Sequence, residues 1–195
     1  MTEKQPYDLV SQSGDIEIRR YPEHMVAETR VSASFESAGN QAFRYLFGYI
    51  SGQNTTAESI AMTSPVVQES TVAQESTVAT SKKIAMTSPV IQEAVGDEFV
   101  IAFVLPARFT AMTAPKPTNP RVVVRTVPAR MSAAIRFTGR WTAGSYKKHL
   151  DTLLEQVAAT GKTTNGEPRF ARFDPPMTPW FLRHNEISID LEESN

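Results

Sequence analysis

At 195 residues, 41% of them hydrophobic and 21% charged, the chain is long enough to bury one sizeable core, and a single domain over about residues 5–192 is expected. The absence of cysteine excludes disulfides, zinc fingers, iron–sulfur clusters and any thiolate-held metal group, and the net charge of -1 gives no electrostatic reason to expect nucleic acid or an acidic membrane surface as partner. No apolar run reaches the ~18 residues of a membrane span and residues 1–13 lack the apolar stretch of a signal peptide, so the expected location is the cytoplasm.

Ile16 to Val31 has the pattern of a strand, a turn at Pro22 and a second strand. From Phe35 to Ile50 apolar residues recur at helical spacing, with Phe35, Ala38, Ala42, Leu46 and Tyr49 on one stripe that marks the core face. Phe43 and Phe47 fall roughly 100–140° around from the centre of that stripe, beside Asn40 and Arg44. Two large aromatic side chains are thus expected where water would be, which favours a ligand or partner surface.

Further strands are expected at Ile60–Gln68, Lys83–Gln92 and Glu98–Leu105. Between the first two, QESTVA at Gln68–Ala73 repeats at once as Gln74–Ala79, and residues 68–82 are too polar to bury, so a long connecting loop is expected. The stretch IAMTSPV at Ile60–Val66 recurs as Ile84–Val90, with alternating apolar and small polar residues closed by a proline, as suits the end of a strand.

A weaker repeat spans most of the chain and appears when residue n is set beside residue n+106. Ile16–Val31 then lies on Val122–Phe137, matching Arg19 with Arg125, Pro22 with Pro128 and Met25 with Met131, and Phe35 falls on Trp141. The second copy runs on into a helix at Ala143–Ala158, with Tyr146, Leu150, Leu153, Leu154 and Val157 on its stripe, and into strands at Pro168–Phe173 and His184–Leu191. Its remaining surface, Lys147, Lys148, Asp151, Glu155 and Gln156, has no aromatic pair. The class is α+β: two strand–helix–strand units related by a pseudo-twofold axis, their strands in one curved antiparallel sheet or barrel and both helices outside it.

Catalytic patterns are absent: no glycine-rich phosphate loop, no nucleophile elbow and no HExxH. His24 is expected in solvent at a strand end, His149 at the polar edge of the second helix, and His184 in a structural role. Asp174, before two prolines, is expected to bond its own backbone in a turn, and Glu186 to pair with Arg183. No enzymatic activity is expected.

Ile18-Arg19-Arg20-Tyr21, the KIAMTSPV stretch at Lys83–Val90, Phe103–Pro106 leading to Pro120-Arg121-Val122, and the closing pair Phe173-Asp174-Pro175-Pro176 and Arg183-His184-Asn185-Glu186 together resemble the SOUL heme-binding family in its bacterial form, over about residues 7–191. The resemblance implies a duplicated βαββ unit, with half-repeats at about 7–106 and 118–191, in a distorted eight-stranded antiparallel barrel or sheet like that of effector-binding domains. It also implies a non-covalently bound heme or related tetrapyrrole on the first helix, where the contacting residues would be Asn40, Phe43, Arg44 and Phe47. Arg20 stands where some members carry a histidine, so axial ligation from that site is absent, and Asn40, Gly48 and Thr178 occupy positions where others offer basic groups to the propionates. A second reading is an effector-binding or hydrolase-like domain whose small ligand sits in the cleft between the halves, with Glu186 at its centre; a protein-interaction surface on the same aromatic patch is a third. Coverage of Phe43 and Phe47 by the segment Gly52–Ser59 discriminates the first two.

Overall fold

The computed structural model describes residues 4–56, 61–62, 84–85, 90–95, 98–140, 142–174 and 178–192. In chain order they form β1 (Asp8–Ser13), β2 (Ile16–Tyr21), β3 (His24–Val31), α1 (Phe35–Ile50), β4 (Ala61–Met62), β5 (Ile84–Ala85), β6 (Val90–Val95), β7 (Glu98–Val104), β8 (Val123–Val127), β9 (Arg130–Thr138), α2 (Ala143–Ala159), β10 (Thr164–Arg172), a 3-10 turn at Trp180–Leu182 and β11 (His184–Leu191). The strand expected at Ile60–Gln68 is present as Ala61–Met62, while the polar connection at 68–82 and Trp141 lie outside the described residues. Of the strand expected at Lys83–Gln92, residues 84–85 are described as β5 and 90–92 fall in β6, while 83 and 86–89 lie outside the described residues; β10 begins four residues before the expected strand.

Nine strands make one antiparallel sheet in the order β1-β2-β9-β11-β10-β6-β7-β3-β8. β4 and β5, carrying the two copies of the Ile-Ala-Met repeat, pair in parallel with Ala61 opposite Ile84. The eight-stranded barrel is corrected on two counts. No ladder joins β1 to β8 among the described residues, so the sheet is not closed, and β1 is a ninth strand. Every residue of β1 is exposed, so it lacks the apolar alternation by which a strand is recognised in sequence; backbone pairing to β2 holds it in place. The strands on either side of Pro22 also do not pair with each other: β2 pairs with β9, and β3 lies between β7 and β8.

Both helices cover one face of the sheet. α1 lays Ala38, Ala42, Leu46 and Tyr49 on Ile101, Phe103 and Val122, and α2 lays Leu153 and Val157 on Ile135, Phe137, Phe170 and Ile187. Each large apolar side chain buried this way contributes about 1.5–3 kcal/mol. Phe35, at the start of α1, packs instead on the α2 cluster, with its ring 5.0 Å from Tyr146 and 5.3 Å from Phe170, and so ties the two cores together. Leu154, expected in the α2 stripe, sits exposed at its rim because the stripe centre is already filled by Leu153 and Val157. Gly39 lets α1 approach β10 closely: a Cβ there would lie 2.8 Å from Nη1 of Arg172. After Ser51 the chain leaves α1 through Gly52 at φ +112°, a conformation that side chains with a Cβ rarely adopt. Thr142 caps α2, its hydroxyl accepting from the Ser145 N–H at 3.2 Å.

The opposite face of the sheet is chemically divided. On β3, β7 and β8 it carries Val26, Ala102, Val104 and Val127, a small apolar cluster. On β2, β9, β10 and β11 it carries Arg19, Tyr21, Arg136, Arg169, Glu186 and Asp190, which line a cleft or are ion-paired along it.

Candidate ligand sites on the first helix and in the sheet cleft

Phe43 and Phe47, one turn apart on α1, stack with centroids 5.5 Å apart and planes inclined by 26°. Their environments differ. Phe43 is half-buried against the first core, 5.6 Å from the Phe103 ring, whereas Phe47 is 39% exposed. Because α1 packs on two strands, it buries a wider arc than one stripe, and Phe103 on β7 reaches Phe43. Asn40 and Arg44 are exposed, as their wheel positions imply. The Arg44 guanidinium lies 5.7 Å from the Tyr45 ring, and that of Arg121, from the segment before β8, lies 5.3 Å from the same ring. Tyr45 is two residues from both Phe43 and Phe47, so its ring and Arg121 lie on the other side of α1 from the aromatic pair, and Arg44 is the cation nearest that pair by helix position.

Over its described part the segment after α1 docks away from this face. Asn54 donates from Nδ2 to the Tyr49 carbonyl at 3.1 Å, Thr55 N donates to the Lys116 carbonyl at 2.9 Å, and Thr118 N donates to the Gln53 carbonyl at 3.2 Å. The Tyr49 hydroxyl donates to the Pro115 carbonyl at 2.9 Å, and burial pushes its pKa up. Residues 57–59 of that segment lie outside the described residues.

In the cleft, Glu186 on β11 is buried, and its expected partner is corrected. Residues 183 and 186 are three apart on an extended chain and point to opposite faces, so Arg183 turns away and donates from Nε to the Thr178 carbonyl at 2.8 Å. Glu186 instead accepts two bonds from Arg19, Nη1 to Oε2 at 2.6 Å and Nη2 to Oε1 at 3.1 Å, and two from Arg136. His184 Nε2 lies 3.1 Å from Oε1. Burial alone would raise the Glu186 carboxyl; the hydrogen bonds from His184 and Arg19, with the Arg19 charge, hold it down at about 2. Asp190 is held below the usual carboxylate range against its burial by Arg169, which donates at 2.7 Å. The cavity beside Glu186 has a volume of about 90 Å³, with Tyr7, Tyr21 and Phe173 among its walls. A tetrapyrrole does not fit there, since drug-sized ligands need roughly 300–1,000 Å³.

The remaining polar residues depart from expectation in informative ways. His24 is buried, not in solvent: Nδ1 lies 2.8 Å from the Pro22 carbonyl and Nε2 3.1 Å from the Gln5 amide, and desolvation lowers its pKa. Asp174 bonds across the β10–β11 connection, accepting from the His184 N–H, and residues 175–177, on which its expected turn falls, lie outside the described residues. His149 stacks on Phe137 at 3.9 Å with Nδ1 2.8 Å from the Ser145 carbonyl, and none of the three histidines lies on α1. Arg20 is exposed on β2. A second apolar surface was not anticipated: Trp180, Phe181 and Leu182 are each at least half exposed, with the Arg140 guanidinium 5.3 Å from the Trp180 ring. Three consecutive large apolar residues were the available signal. Among the described residues no three metal-ligating side chains cluster, and no helix is long and apolar enough to cross a membrane.

A sheet with both helices on one face and a cleft on the other defines an α+β domain. The chain is similar to the C-terminal domain of EcmrR, at 10% identity over 96% of this chain and 99% of that one, with a TM-score of 0.61. It is also similar to a hydrolase from Listeria innocua, at 8% identity over 94% of each chain with a TM-score of 0.58, and to an uncharacterized conserved protein from the same organism, at 10% over 91% and 92% with a TM-score of 0.60. Identities this low carry the fold alone. No curated protein matches the chain. The family model described as SOUL heme-binding protein matches residues 2–190, and the chain belongs to that family.

Proposed function

We propose that this protein binds heme or a related tetrapyrrole non-covalently on the outer face of α1, and sequesters, buffers or carries it rather than acting as an enzyme. One observation carries the reading: the Phe43–Phe47 stack leaves an exposed aromatic ring on α1, with the exposed Asn40 and Arg44 beside it on the helix surface. A tetrapyrrole presents a flat apolar macrocycle and two carboxylates, and the residues present fit both halves of that description. Phe47, supported from below by Phe43, would meet the macrocycle; Arg44 and Asn40 would meet the propionates. Bound heme would supply an iron centre, for which this face offers no histidine. Membership of a heme-binding family supports the same ligand. We place the protein in the cytoplasm as a single domain over residues 5–192, without a nucleic-acid partner, in keeping with its net charge of -1.

The duplicated βαββ unit belongs to this proposal as well. If β2, β3, α1, β6 and β7 are exchanged with β8, β9, α2, β10 and β11, the order β2-β9-β11-β10-β6-β7-β3-β8 reads identically from its other end, as a twofold relation between halves requires.

The test is a hemin titration followed in the Soret region, with free hemin and albumin as controls. Saturation near one heme per chain is expected for the unaltered protein, with loss in Phe47→Ala and in the Phe43→Ala/Phe47→Ala double variant and retention in Trp180→Ala/Phe181→Ala. Saturation lost only in the last variant would move the site to the 3-10 turn, and no saturable change at all would end the tetrapyrrole reading. A second reading, favoured by the buried ionic centre beside the cavity, is that the cleft takes a small molecule.

A further inference from the structure

The donors around Glu186 are unevenly used. Arg19 is fully committed: Nε to Glu17 at 2.7 Å, Nη1 to Glu186 and to the Tyr21 hydroxyl at 3.0 Å, Nη2 to Glu186. Glu186 Oε2 therefore has one short bond, whereas Oε1 faces four donors: Arg19 Nη2 at 3.1 Å, Arg136 Nε and Nη2 both at 3.2 Å, and His184 Nε2 at 3.1 Å. A carboxylate oxygen has about two lone-pair sites. Oε1 is oversubscribed, and every one of its contacts is long for a charge-assisted bond.

Arg136 is the least firmly held of these groups. Its side chain is 54% exposed, it enters the cleft from β9, and among the described residues its Nη1 has no hydrogen-bond partner. The Tyr21 hydroxyl accepts from Arg19, which leaves its own proton to donate, and it lines the same cavity. Charge points the same way: Lys4, Arg19, Arg136 and Arg169 line the cavity, and among the described side chains the carboxylates paired with them are Glu17, Glu186 and Asp190.

We propose that the cleft is a binding site for a small oxyanion, the carboxylate or phosphate group of a molecule of a few heavy atoms, gripped by Arg136 and the Tyr21 hydroxyl. The inference rests on the second reading above, that the cleft takes a small molecule, and names the class of that molecule. Glu186 does not serve as the anchor for a cationic ligand, because Arg19 and Arg136 neutralise it. The ligand relieves the crowding on Oε1 by drawing the Arg136 fork to itself, and leaves the Arg19–Glu186 pair in place. Cavity size limits it to something far smaller than a macrocycle, so the α1 face and the cleft are independent sites.

The experiment is an amide chemical-shift titration of the whole protein at fixed ionic strength and pH, with sodium phosphate, sodium acetate and tetramethylammonium chloride as separate probes. Saturable shifts on β2, β9 and β11 are expected with phosphate or acetate and none with tetramethylammonium. Affinity is expected to fall about tenfold or more in Arg136→Gln, the worth of a hydrogen bond to a charged group, and less in Tyr21→Phe. The half-exposed Arg136 side chain makes its variant safe for folding, and Tyr21→Phe checks the same site by a change that removes one hydroxyl. Saturation by tetramethylammonium instead would overturn the oxyanion class and keep the cleft as a small-molecule site. Linear shifts with every probe would overturn both, and anion saturation unchanged in both variants would overturn the assigned residues.

Discussion

Glu186 is buried among guanidinium groups, and its ionised state is part of what holds β2, β9 and β11 together. Replacing one partner of a buried ion pair leaves the other charge stranded, which costs about 3 kcal/mol or more. Glu186→Gln is accordingly expected to lower stability by about that amount in urea unfolding, and an Arg19→Met/Glu186→Leu double variant to lose less than the two single variants combined. The pH dependence follows from the depressed pKa. Between the ordinary value of 4.5 and about 2 the unfolded chain takes the proton before the folded one does, so the contribution of Glu186 is complete above about pH 5 and is lost as pH falls toward 2. Asp190 and His24 act in the same direction, since both pKa values are lowered by folding; for His24 the loss begins as pH falls below about 6.5. Urea midpoints measured from pH 7 to pH 3 are therefore expected to fall more steeply for the unaltered protein than for Glu186→Gln, and parallel curves would show that another carboxylate dominates. Glu186 was visible in the sequence as a residue of interest, but its partners were not: Arg19 is 167 positions away, and only the β2–β9–β11 pairing brings the two together.

At the scale of elements, α1 divides its two outer aromatics between folding and surface. Phe43 rests on Phe103, so Phe43→Ala opens a gap in the first core and is expected to cost about 2–3 kcal/mol. Phe47→Ala removes a ring already 39% exposed and is expected to cost under about 1 kcal/mol. Denaturant unfolding of the two single variants separates these roles; equal losses would mean that Phe47 is core and that no surface platform exists. Both helices were legible from periodicity because their apolar stripes face one buried layer, and α2 ends one residue beyond the expected boundary. β1 was illegible for the opposite reason. With no buried face, its pairing depends on backbone bonds that side chains do not encode. The partial burial of Phe43 was hidden likewise, because a helical wheel has no knowledge of the width of the surface beneath it.

For the whole molecule, the n+106 sequence match suggests the proposed duplication but not how its two halves are joined. Each half sends its first strand into the sheet of the other: β2 pairs with β9, and β8 pairs with β3. A periodic sequence match relates equivalent residues, whereas strand pairing relates complementary ones, so the exchange left no trace in the repeat. Its consequence is that neither half is complete alone. A fragment ending near residue 106 contains β3, β6, β7 and α1 but leaves Ile16 and Ile18 of β2 without the Ala133, Ile135 and Ile187 surface they bury against. A fragment from residue 118 onward keeps β9, β10, β11 and α2 but loses the cover that β2 and Phe35 provide, which exposes one edge of β9 and part of the α2 core. Far-ultraviolet circular dichroism of the separate fragments is therefore expected to show no cooperative thermal transition for either, with cooperative melting restored when the two are mixed at equal concentration. A sharp independent transition in the first fragment would mean that the β2–β9 exchange is dispensable and that each half is a folding unit, and the Arg19–Glu186 centre would then be an interface added to two finished domains.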